Sequence, residues 1–165
     1  MNTDCTICMQ NSGEINLAEH VIWENDSWLV RHHSAPYPVV GWLLLQPKRH
    51  VQGIAYFSAR EVQEYGAIAQ EISISLQNTL NVSKVYTIAF GESVSHMHQH
   101  FIPRSQEMPS EFLGFGIADL YRGISNGSFE SKDSSDVGKL VRNLRKSFKS
   151  FTIAGRTPQP VGASS

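Results

Sequence analysis

The chain has 165 residues, 41% of them apolar and 18% charged, with a formal net charge of −1. It is long enough for one domain with a real core, and so near to neutral that no global field draws it to nucleic acid or an anionic membrane. Its longest strongly apolar run, Val39–Leu45, is far too short to span a bilayer, and the opening Met1-Asn2-Thr3-Asp4 lacks the basic and apolar regions of a signal peptide, so a cytoplasmic protein is expected.

In chain order, Cys5 and Cys8 come first and are the only cysteines. In a reducing compartment a C-x-x-C pair reads as metal ligands or a redox pair rather than a structural disulfide. A thioredoxin-like motif follows a strand and opens a helix, whereas this one opens the chain, which favours metal. Residues 10–18 are polar and read as loop. His20–Trp23 and Trp28–His32 read as two strands joined by the turn chemistry of Glu24-Asn25-Asp26-Ser27, a hairpin. Pro36 and Pro38 break the chain, and Trp42–Gln46 is a short apolar strand running into Pro47-Lys48-Arg49-His50. Ser58-x-x-Glu61 is a capping box, and Val62, Tyr65, Ala69, Ile72, Leu76 and Leu80 follow at helical spacing, so a long helix is predicted over Ala59–Leu80. Val85–Phe90 reads as a strand, Gly91–Ser95 as a short turn, and a second strand follows, antiparallel to the first. Ser105–Ser131 shows weak periodicity. Val137, Leu140, Val141, Leu144 and Phe148 give a second amphipathic helix with Lys139, Arg142, Arg145, Lys146 and Lys149 around it. The expected fold is α+β: an antiparallel sheet with one long packed helix and a C-terminal helical extension. The expected division is a domain over 1–104, an extension over 105–154 with one amphipathic helix, and a mobile tail over 155–165.

The most informative stretch is His96-Met97-His98-Gln99-His100-Phe101-Ile102-Pro103-Arg104, where three of the seven histidines recur at two-residue spacing. Strand side chains alternate faces, so all three imidazoles are predicted on one face of a strand that ends near Pro103. A neutral imidazole is a good nucleophile near pH 7, and neighbours in such a row can orient it or donate to phosphate oxygens. Two of them could instead share a metal. A closed tetrahedral site built on Cys5 and Cys8 needs two histidines; His50 and one member of the row are the natural candidates, with His20, His32 and His33 as outsiders. Lys48, Arg49 and Arg104 are candidates to hold phosphate.

Gly91-Glu92-Ser93-Val94-Ser95 followed by this stretch resembles the signature of the histidine triad (HIT) superfamily, His-φ-His-φ-His-φ-φ with φ apolar. Gly41-Trp42-Leu43-Leu44-Leu45-Gln46-Pro47-Lys48-Arg49-His50-Val51 is similar to the family's strand and Pro-Lys-x-His segment. The resemblance spans residues 5–104. It implies a compact HIT-like α+β fold, often a homodimer. It also implies a nucleotide hydrolase or nucleotidyl transferase that cleaves at the α-phosphate of a nucleotide conjugate, a dinucleoside polyphosphate or a nucleoside phosphoramidate, through a nucleotidyl-histidine. On these residues His98 would be the nucleophile, with His100 and Ser93 assisting. Ser93, His98, His100 and Arg104 would bind the substrate, and Cys5, Cys8, His50 and His96 would bind a structural zinc ion. The chain departs from the pattern at Gln99, which is polar and is expected on a wet or partner-facing side of its strand. Glu92 stands where many members have Gln, the link from Phe90 to Val94 is short, and Ser34 stands near where many members place a ribose-binding Asp.

Three other readings compete. One is a metal-dependent hydrolase or cupin-like enzyme with the histidine row as its metal site; a cupin-like site wants a Glu soon after H-x-H, and Glu107 is late. A non-catalytic nucleotide-binding scaffold on the same fold would be expected to lose the nucleophile, and all three histidines of the row are present. A hydrolase of adenylylated nucleic-acid ends would use the basic helix near 137–149 for docking.

Overall fold

A computed structural model describes residues 4–106 and 108–153; the expected tail over 155–165 lies outside them. The elements are α1 (Thr6–Ser12), β1 (Val21–Glu24), β2 (Trp28–His32), β3 (Leu43–Pro47), α2 (Ala59–Leu80), β4 (Val85–Ile88), β5 (Gln99–Pro103), α3 (Ile117–Ser125) and α4 (Ser134–Phe148), with short 3-10 turns at Ile54–Tyr56, Ser110–Phe112 and Gly114–Gly116. The strands form one antiparallel sheet in the order β1-β2-β3-β5-β4. The fold is α+β. Among the described residues no helix is long and apolar enough to cross a membrane.

The period-2 alternation of the strands separates two faces. Trp28, Val30, Leu43, Leu45 and Phe101 point to one side, where Ile68, Ile72 and Leu76 of α2 cover them. The Ser58 capping box opens α2: the Ser58 hydroxyl accepts from the Glu61 N–H, and the Glu61 carboxylate accepts from the Ser58 N–H. The helix closes at Asn81, which takes the left-handed conformation (φ 51°) common at helix C-termini.

The C-terminal region differs from the single extension helix expected of it. The apolar stripe of α4 (Val137, Leu140, Val141, Leu144, Phe148) enters the same core as α2, against Ile22 and Trp23 of β1. Arg145 ties it down by donating to the carbonyls of Val21 (2.7 Å) and Ala18 (2.8 Å). A further helix, α3, lies on the opposite face of the sheet, where Ile117, Leu120 and Ile124 pack with Phe112 on Val39, Trp42 and Ile102. Three apolar points over nine residues are too short a stripe to stand out in a Gly- and Ser-rich stretch. The N-terminal segment was also expected to be loop over residues 10–18, but α1 runs to Ser12. Cys5 therefore stands at the N-terminus of a helix after all.

Candidate functional site

The second face of the sheet carries the polar residues: Arg31 on β2, Gln46 on β3 and His100 on β5, with His33 just beyond β2 and Trp42 just before β3. The three histidines of the row do not all share this face. His96 and His98 precede β5, and only His100 lies within it, opposite Leu44 and Ile88. Ahead of the ladder the chain is free of strand register, and His96 turns away toward Cys5 and Cys8.

Each ring has a hydrogen bond that sets its tautomer, because a carbonyl only accepts and an indole N–H only donates. His96 Nε2 donates to the Pro47 carbonyl (2.8 Å), so its Nδ1 lone pair faces Cys5 Sγ (3.6 Å) and Cys8 Sγ (3.4 Å). His98 Nδ1 donates to the His96 carbonyl (2.8 Å), which leaves an Nε2 lone pair. His100 Nδ1 accepts from the indole N–H of Trp42 (2.8 Å), so the proton of His100 is on Nε2. The rings of His98 and His100 are edge to face at 5.1 Å. The pair thus offers one unprotonated nitrogen and one N–H donor side by side.

His33, just after β2, completes the group. Its Nδ1 donates to the Ser34 carbonyl (2.5 Å), and its ring lies 5.6 Å from Trp42, 6.5 Å from His100 and 5.5 Å from Tyr121 of α3. Phe90 flanks His100 from the other side at 6.5 Å and is well exposed. Burial pushes His100 down to about 3, helped by the charges of His98, His33 and Arg31. Burial likewise holds His33 at about 4, against the stabilising bond to Ser34. Both are neutral near pH 7. Arg31 is buried, and among the described residues its guanidinium donates to neutral acceptors: the amide oxygens of Gln46 (3.2 Å) and Gln10 (2.8 Å) and the carbonyl of His32 (3.1 Å). Its charge is therefore not cancelled locally, which suits this face to anions.

A second group lies at the end of the row. The ligand atoms of Cys5, Cys8, His50 and His96 all fall within 4.8 Å of one another. The contacts to Cys8 Sγ from His50 Nδ1 and His96 Nδ1 are both 3.4 Å. Metal–sulfur and metal–nitrogen bonds of about 2.3 and 2.0 Å at tetrahedral angles place the ligand atoms roughly 3.5 Å apart. The spacing and the two-sulfur, two-nitrogen donor set therefore fit a tetrahedral metal ion. The bond from His96 to Pro47 is the outer contact that such a ligand needs to hold its tautomer.

The remaining expected site residues are elsewhere. Ser93 is exposed in the loop before the row, and no hydrogen bond joins it to the histidines. Arg104 is four residues past His100, roughly 13 Å along a strand; its N–H extends the ladder to the Lys84 carbonyl (3.0 Å), and it lines a cleft with Asn81, Val82 and Ser83. It is not brought to the histidines. Lys48 pairs with Glu24 (2.7 Å) and Arg49 with Glu61 (2.7 Å). Gln99 faces α2, not a wet outer side, and its amide oxygen accepts from the Tyr65 hydroxyl. Trp42, His33, Arg31 and Tyr121 are the site residues that sequence reasoning did not place here. The signal for Trp42 was the alternation Trp42, Leu44, Gln46, which becomes informative only once β3 is known to pair with β5.

A HIT domain model matches residues 14–107, more than half of the chain. The chain belongs to the HIT-domain family. The match begins after Cys5 and Cys8, which lie outside the matched segment. Among solved structures, the chain is similar to a zinc-bound histidine triad family protein from Mycobacterium smegmatis (TM-score 0.62, 19% identity, covering 88% of this chain and 96% of that one). It is also similar to a hypothetical histidine triad nucleotide-binding protein from Sulfolobus tokodaii (TM-score 0.65, 16% identity, 88% and 92% covered). A curated relative, a galactose-1-phosphate uridylyltransferase from Hypocrea jecorina, is 25% identical over 147 residues; the match takes in 79% of this chain but only 37% of the relative's length.

Proposed function

We propose that this HIT protein is a nucleotide hydrolase or nucleotidyl transferase that cleaves at the α-phosphate of a nucleotide conjugate, with His98 as nucleophile. The observation that carries the reading is the paired tautomer: His98 offers an Nε2 lone pair, and 5.1 Å away His100 offers an N–H. The first can form a bond to phosphorus, and the second can donate to the phosphoryl oxygens as charge grows on them. The unneutralised Arg31 favours an anionic ligand on the same face. The uridylyltransferase relative is in keeping with transfer of a nucleotidyl group. Cys5, Cys8, His50 and His96 would hold zinc, a structural ion that contributes folding energy and anchors the start of the histidine row.

The test is intact-protein mass spectrometry after brief mixing with a dinucleoside polyphosphate or, separately, a nucleoside phosphoramidate, quenched without acid. Wild type is expected to show a transient gain of one nucleotidyl group, and His98→Asn none. No adduct together with no hydrolysis of either compound would replace this reading with a nucleotide-binding protein that does no chemistry.

A further inference from the structure

The bond between Trp42 and His100 limits what the site can do. An indole nitrogen has a hydrogen to give and no lone pair to take one. While Trp42 Nε1–H points at His100 Nδ1 from 2.8 Å, that nitrogen must keep its lone pair. A second proton on His100 would have to go there and would meet the indole hydrogen head-on. The surroundings oppose it as well. The titratable and charged groups that act on His100 are His98, His33 and Arg31, all of them cationic when charged, and no carboxylate is among them. The aromatic rings of Trp42 (5.7 Å) and Phe90 (6.5 Å) flank it.

A neutral imidazole donates a hydrogen bond well but gives up its proton hardly at all. A general acid needs a pKa near the working pH, and a locked His100 has no such proton. The other candidate, Ser93, is exposed and unconnected to the row. A group that departs from this site therefore departs without a proton from His100.

We propose, building on the function above, that Trp42 is a positioning residue that locks His100 as a neutral Nε2–H donor, and that this lock restricts the site to substrates whose leaving group is a phosphate oxygen rather than an amine. In the first step the Nε2 lone pair of His98 forms a bond to the α-phosphorus. The bond from phosphorus to the bridging oxygen breaks, and its electron pair stays on the departing phosphate, which leaves as an anion on the face of the sheet that carries Arg31. No proton moves, and His98 Nδ1–H stays on the His96 carbonyl. In the second step a water oxygen attacks phosphorus, the P–N pair returns to His98 Nε2, and a water proton passes to solvent from the new phosphate. An amine leaving as its anion has no counterpart to this route.

The test compares wild type and Trp42→Phe on two substrates with the same adenylyl group, a dinucleoside polyphosphate and adenosine 5′-phosphoramidate, and reads the His100 nitrogen shifts by NMR. Phenylalanine keeps a ring in the wall and removes only the N–H. Wild type is expected to prefer the anhydride by about a hundredfold or more in kcat/KM, the size of a missing general acid. Trp42→Phe, with Nδ1 released, is expected to narrow that ratio by about tenfold; a purely structural role would slow both substrates alike. The nitrogen spectrum of wild type should show a protonated Nε2 and an unprotonated Nδ1 on His100 from weakly acid to weakly basic pH. Wild type that cleaves the amidate as fast as the anhydride overturns the leaving-group selection, and a protonated His100 Nδ1 overturns the lock. Turnover of neither substrate overturns the function reading together with the selection built on it, and the nitrogen spectrum still decides the lock. Should Trp42→Phe not fold, both wild-type measurements stand.

Discussion

Gly41 shows how one residue places the site. Its φ is 94°, a left-handed conformation that glycine alone adopts without strain. Its N–H donates to His32 Nε2 (2.9 Å), and the next residue is Trp42, which sets His100. A Cβ at Gly41 would come within 2.7 Å of Leu80 Cδ1 and 3.1 Å of Pro103 Cγ. Gly41→Ala is therefore expected to lower stability by roughly 1–3 kcal/mol, with backbone strain as the main cause, and urea denaturation measures it. A change below a few tenths of a kcal/mol would mean that the turn relaxes at little cost. At this scale the chain was a good guide to residue type and a poor one to partner. The row pointed to imidazole chemistry and the family likeness assigned it to His98 and His100, but nothing in the sequence said that a tryptophan fifty-odd residues upstream would set the protonation of His100, since only the pairing of β3 with β5 brings them together.

At the scale of elements, α1 has seven residues and too few turns to be stable alone. What holds it are contacts to the sheet: Asn11 Nδ2 donates to the carbonyls of Pro47 (3.1 Å) and Lys48 (3.3 Å), and Asn11 Oδ1 accepts from Gln46 (2.7 Å). The cysteines would supply a second tether through a metal held by the four-donor group. Cys5→Ser is expected to lower zinc content and melting temperature together, read by metal analysis and calorimetry on protein purified without chelator. Full zinc in the variant, or no zinc in wild type, would count against the site. The helix escaped sequence reading because its polar residues point at the sheet as hydrogen-bonding groups, and no apolar stripe marks it. By contrast α2 matched its expected bounds, Ala59–Leu80, because twenty-two residues of regular apolar spacing and a capping box all point the same way. The hairpin strands were legible for a similar reason, with turn chemistry between two β-branched or aromatic runs.

For the molecule as a whole, the buried histidines tie stability to pH. Burial lowers His32 and His33 to about 4 and His100 to about 3, and it also lowers His20 and His96. Above an unfolded pKa of about 6.5 these groups are neutral in both states and cost nothing. Between about 6.5 and 4 the unfolded chain binds the protons that the folded one refuses, so stability rises with pH across that window and is lost as pH falls through it. For His32, which is fully buried, the full effect is on the order of 3 kcal/mol. Urea midpoints are expected to fall between pH 7 and pH 4.5, and His32→Gln, which keeps a donor and an acceptor, should flatten the slope. An equal slope in the variant would show that His32 carries none of it.

The linear order of residues was sufficient for the α+β class, the long helix, the two cysteines and the row of histidines, because each rests on short-range spacing: alternation in strands, three-to-four spacing in helices, clustering of one residue type. It also suggested the four-donor group, Cys5, Cys8, His50 and His96, by ligand count and family likeness, and folding does bring those atoms together. Long-range packing was needed for the rest. It turned His96 out of line with His98 and His100, set Gln99 against Tyr65, folded α4 into the main core and laid α3 beside His33. Those outcomes depend on which strands pair and which faces are covered, and such contacts join residues far apart in the chain whose local patterns do not name each other.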